Sequence, residues 1–142
     1  SVGPGQAAGP IGGGNLTVLT SLVGTPYALD GMGCILVLED TGEDAYRIDR
    51  MLTPLWQSGL LSRVAAIAYG DFTDCPNDPG DFTTDQVLDY YAHLAGKPAI
   101  KGLPVGHTKD KAFVPYGVKV RLDADREGAS LTFSDVCALR PL

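Results

Sequence analysis

A chain of 142 residues, 44% of them hydrophobic, is long enough for one ordinary domain with a true core, burying about 70% of the surface its unfolded form would expose. Its formal charge of −6 and its eleven scattered Lys and Arg residues exclude a nucleic-acid surface, because phosphate recognition needs clustered cations. No run of eighteen apolar residues and no basic leader ahead of a hydrophobic stretch occurs, so neither membrane insertion nor export is expected.

Residues 1–12, SVGPGQAAGPIG, are rich in Gly and Pro and are expected to form an extended interdomain linker, with the folded domain occupying 13–142. Asn15 is a good cap for a short buried helix over LTVLTSLVG, closed by Gly24. The continuous apolar run CILVL (34–38) predicts a strand buried on both faces, with Glu39 at its carboxyl end. From Glu43 the period becomes helical through Met51, Leu52, Leu55 and Trp56, and Pro54 is expected to kink or shorten that helix. VAAIAY (64–69) predicts a second buried strand, ended by Gly70 and followed by an acidic loop.

Thr83 and Gln86 fit a capping box ahead of VLDYYAHLAG, with Gly96 and Pro98 as the stop. Beyond them, PAIKGLPVGH, KAFVPYGVKVRLDAD and ASLTF are strand-like, and Val118, Val120 and Leu122 alternate with Lys119 and Arg121 as in a half-exposed strand. A helix, then β-α-β-α, then several strands imply an α/β domain with a mixed sheet.

Ligands in open α/β sheets gather at the carboxyl ends of strands, where Glu39 and His107 both stand. A solvated turn carboxylate and a loop histidine are the plain alternatives. His93, the other histidine, falls among polar neighbours on a surface helix, so imidazole chemistry points to His107. Ser21, Ser58, Ser62, Ser130 and Ser134 lie in no GxSxG-like turn and read as structural. Gly13, Gly14 and Asn15, ahead of a helix, are candidates to hold a substrate carboxylate.

Asp71, Asp74, Asp78 and Asp81 lack calcium-loop spacing and read as a solvated loop, so no metal is expected. Cys75 in the same loop reads as an inert thiol or a residue bordering the site, and Tyr46 and Arg47 as substrate contacts or plain helix residues. Cys34, Cys75 and Cys137 form neither an even disulfide framework nor a CxxC pair, which points to a reducing compartment.

Four ordered blocks, GGNLTVLTSLVGTPY (13–27), LVLEDTGEDAYRIDRML (36–52), GDFTDC (70–75) and GLPVGH (102–107), resemble the carboxyl-terminal domain of the LD-carboxypeptidases, or muramoyltetrapeptide carboxypeptidases. The resemblance implies a mixed-sheet domain of the swivelling β/β/α type and a serine peptidase with a Ser-His-Glu triad. It assigns the acid to Glu39 and the base to His107, and puts the serine in an amino-terminal domain outside this chain. It further implies release of terminal D-alanine from murein tetrapeptides during peptidoglycan recycling in the cytoplasm, without a cofactor. A related branch, the microcin C self-immunity hydrolases of acyl-adenylate amides, is the alternative. A non-catalytic docking domain is a third possibility, and a face left open by the partner domain favours a homodimer.

Overall fold

The computed structural model describes residues 1–76, 82–125 and 128–133. Strand β2 (Ile35–Thr41) organises the fold: Ile35–Leu38 are buried as the unbroken apolar run predicts, and burial continues through Glu39 and Asp40. Side chains alternate across a strand, so β2 feeds two separate cores. Leu36 and Leu38 enter one with Ile67 and Tyr69 of β3 (Ala66–Thr73); Ile35 and Val37 enter the other with Ala66 and Ala68.

The first core is closed by helices α1 (Leu16–Ser21), α2 (Ala45–Gln57), α3 (Leu60–Arg63) and α4 (Thr84–Ala95) through Leu16, Ile48, Leu52, Leu55, Leu61 and Leu88, among others. Each such side chain contributes about 1.5–3 kcal/mol on burial. The second core is closed by Val120, Leu122 and Ala124 of β5 (Lys119–Ala124), with Leu103, Val105 and Val114 of the 101–118 segment packed at its border.

With β1 (Gly5–Asn15), β4 (Ala99–Ile100) and β6 (Ala129–Phe133), the sheet runs β4-β3-β2-β1-β5-β6. Strands β1 to β4 are parallel, β5 is antiparallel to β1, and β6 is antiparallel to β5. The mixed α/β sheet is therefore as expected. Among the described residues no helix is long and apolar enough to cross a membrane.

Several local expectations need correction. Residues 5–12 are not a linker but most of β1, an inner strand. Its residues Gly5–Pro10 pair with β5 and Ile11–Asn15 with β2, so Pro10 stands at the changeover. The glycines that look like linker composition serve close approach: a Cβ on Gly9 would collide with the Gly33 carbonyl oxygen. Glu39 is not at the end of its strand, since β2 continues to Thr41. Nor does Gly70 end β3, because Phe72 and Thr73 pair with Asp40 and Thr41.

Helix α2 continues through Pro54 to Gln57. The buried side chains of Leu52 and Leu55, on either side of Pro54, tie this last stretch to the core and offset the hydrogen bond that Pro cannot donate. The capping box of α4 is present on both arms, and Gly96 ends the helix in the left-handed conformation at φ 60°. Ser134, Cys137, Asp78 and Asp81 lie outside the described residues.

Candidate functional site

The carboxyl ends of β1 and β2 lie side by side, with Asn15 and Glu39 as their last paired residues. Glu39 follows Ile35 and Val37 toward the face away from the helices, where the segment after β4 crosses. Two backbone bonds fasten that segment to the end of β3: the Leu103 amide donates to Tyr69 O at 3.1 Å, and the Asp71 amide to Val105 O at 2.8 Å. Two glycines let it sit close. A Cβ on Gly70 would collide with the Val105 carbonyl oxygen, and a Cβ on Gly106, whose φ is +138°, would stand 3.0 Å from Glu39 Oε2.

The chain delivered by this loop is His107. Its Nδ1 lies 2.9 Å from Glu39 Oε2. An ionised carboxylate can only accept, so a neutral ring beside it carries its proton on Nδ1 and holds its lone pair on Nε2. The two partners differ sharply in exposure: the Glu39 side chain is 9% exposed and the His107 ring 54%. The acid is enclosed by the domain while the base opens outward, and its Nε2 makes no hydrogen bond to any described residue.

The other sequence candidates are placed differently. His93 lies on the exposed side of α4 with Nδ1 2.8 Å from the Asp89 carbonyl, and neither Glu39 nor His107 is its partner. Asn15 caps α1 by accepting from the Val18 amide at 3.1 Å, and Gly13 packs on β2. A second amide of that turn, on Thr17, is taken by Asp40 at 2.9 Å, so two donors that a substrate carboxylate would use are already engaged. Gly14, at φ 134°, has nothing near the position of a Cβ.

Ser21, Ser58 and Ser62 donate to backbone carbonyls within their own helical turns. Arg47 is held by Glu43, Asp44 and the Tyr46 hydroxyl. Cys75 lines a cleft of about 390 Å³ with Gly70, Asp71, Phe72, Lys101 and Gly102, a cleft that neither Glu39 nor His107 lines. Burial pushes its thiol pKa up, which disfavours a thiolate nucleophile there.

Sequence reasoning missed Asp40. It is buried beside Glu39 and bonded to Asn15, Thr17 and Thr41, although a charged pair after a strand reads as solvated. The signal was available: a strand buried on both faces does not reach solvent at its first charged residue.

Comparison with known proteins shows the family and the fold of this chain. The family model described as LD-carboxypeptidase C-terminal domain matches residues 8–122. A Bacillus subtilis protein named "Probable murein peptide carboxypeptidase" is 39% identical over 128 residues, covering 89% of this chain and 40% of the relative. The microcin C7 self-immunity protein of Escherichia coli is 31% identical over 138 residues, covering 92% of this chain and 38% of the relative. The crystal structure of muramoyltetrapeptide carboxypeptidase from Oxalobacter formigenes superposes with a TM-score of 0.84 at 34% identity, over 92% of this chain and 47% of that one. The chain thus spans about 40% of the length of the curated relatives it matches. It belongs to the LD-carboxypeptidase C-terminal domain family.

Proposed function

We propose that this chain supplies the base and acid of a Ser-His-Glu triad, completed by a serine from an amino-terminal domain of the same enzyme. The observation that carries this reading is the 2.9 Å contact between an enclosed Glu39 and an outward-facing His107. A serine hydroxyl is a poor nucleophile until an imidazole takes its proton. Here His107 Nε2 receives that proton, and Glu39 both fixes the ring's tautomer and stabilises the imidazolium that forms. His107 then returns the proton to the leaving amine. Donors for the developing oxyanion come from the same amino-terminal domain, with the Gly14 and Asn15 end of β1 as the nearby rim on this side.

In this reading the parent is a cytoplasmic serine-type LD-carboxypeptidase of peptidoglycan recycling that frees D-alanine from murein tetrapeptides. The chain by itself should release no D-alanine from a muramyl tetrapeptide, and addition of a matching amino-terminal domain should restore release. Substantial turnover by the chain alone would overturn the claim that the nucleophile lies elsewhere. Likeness to the microcin C7 self-immunity protein supports a second reading, hydrolysis of acyl-adenylate amides by the same pair. Relative rates of the completed enzyme on the two substrate types separate them.

A homodimer is also part of the proposal. Phe113 and Tyr116 stand exposed on the segment that follows His107, an apolar surface that a second body would cover. Light scattering should give twice the chain mass at micromolar concentration; a strict monomer across a wide concentration range would remove the dimer from the proposal.

A further inference from the structure

Asp40 is the one buried ionisable neighbour of Glu39 along the strand, 3% exposed, and no step of the proposed chemistry uses it. Its carboxylate meets donors only. Oδ1 accepts from Asn15 Nδ2 at 3.0 Å and from the Thr41 amide at 2.9 Å; Oδ2 accepts from the Thr17 amide at 2.9 Å and the Thr17 hydroxyl at 2.8 Å. An asparagine could not replace it without loss, because either orientation of the amide would turn its NH2 group toward a backbone N–H donor, that of Thr41 or that of Thr17.

The clamp sits where the sheet leaves its register. Leu38 pairs with Tyr69 but Asp40 with Phe72, so Gly70 and Asp71 together stand opposite Glu39. On the other side the β1 ladder ends at the Asn15–Glu39 pair. At such an irregularity the ladder to β3 no longer dictates where the middle side chain aims. Its direction depends on the residues that flank it, Leu38 in the core and Asp40 in its four hydrogen bonds.

We infer that Asp40 is a positioning residue: by tying β2 to Asn15 and to the first turn of α1, it holds the irregular strand end so that Glu39 Oε2 meets His107 Nδ1. This rests on the reading of Glu39 and His107 as acid and base. It adds a residue next to Glu39 in the chain whose loss disorganises the pair while both of its members remain.

The test reads the ring tautomer of His107 by ¹⁵N NMR of this chain, at a pH where the ring is neutral. The wild-type ring should carry its proton on Nδ1, and Glu39→Ala should abolish that preference. Asp40→Asn should shift the His107 ring resonances in the same direction, and Thr17→Val, which removes one donor of the clamp, should shift them less. His93, whose Nδ1 faces the Asp89 carbonyl, should keep its resonances throughout and so reports an intact fold. If Glu39→Ala shifts His107 and Asp40→Asn does not, the positioning role is overturned while the acid–base pair stands. If Glu39→Ala itself changes nothing, the pair is what fails. Should Asp40→Asn lose the His93 signature, Thr17→Val decides, and an unchanged His107 tautomer there overturns the inference.

Discussion

Glu39→Gln, made in a protein carrying both halves of the site, should lower kcat about 10⁴-fold, the scale seen when the acid of a hydrolase triad is made an amide. The substitution leaves the volume between Gly70 and Gly106 unchanged, so the loop bearing His107 keeps its seat. What changes is the electrostatics around the ring. A neutral amide cannot stabilise the imidazolium, and by turning its NH2 toward Nδ1 it favours the tautomer with the proton on Nε2. A ring in that state has no lone pair to offer the serine. KM should move little, since an enclosed carboxylate behind the imidazole does not touch substrate. The measurement is D-alanine release under saturating tetrapeptide, beside a circular dichroism check of the fold; a rate within about tenfold of wild type would remove Glu39 from the role.

Much of this architecture is legible in the sequence because it obeys simple periodicities. The run CILVL must be buried on both faces, and the structure divides it between two cores. The capping box at Thr83 and Gln86 is local chemistry and needs no tertiary information. The segment 1–12 was illegible for the opposite reason. Gly9 in β1 meets the approach of the chain just ahead of β2, whose carbonyl at Gly33 comes too close for a side chain, and that need is invisible until the two segments are side by side.

The site divides the same way. Glu39 and His107 can be singled out as ionisable residues that follow apolar runs, but their approach depends on Gly70, Gly106 and two backbone bonds across segments some thirty residues apart in the chain. Asp40 was read past because a charged residue after a strand ordinarily meets water. Here the partners that satisfy it come from β1 and α1, more than twenty residues earlier.

The largest expected loss of stability follows from the same central strand. Leu38→Ala should lower the unfolding free energy by about 2–5 kcal/mol, the range for deleting a buried leucine and leaving its cavity partly open. Leu38 is fully buried in the helix-side core and pairs with Tyr69, itself fully buried with its hydroxyl lacking any hydrogen-bond partner among the described residues. Neither neighbour is free to collapse into the space: Tyr69 is held in the β3 ladder, and α1 is fixed to β2 through Asp40.

Val18→Ala, at a position 59% exposed on α1, removes two methyl groups from a surface already in water and should change stability by no more than about 0.5 kcal/mol. Urea unfolding of the two variants makes the comparison. Because single domains are stable by only about 5–15 kcal/mol, a loss of about 2–5 kcal/mol in Leu38→Ala is a large share of that margin. Equal midpoints for the two variants would mean that the end of β2 is not packed against the helices, and the rigid support proposed for Glu39 would go with it.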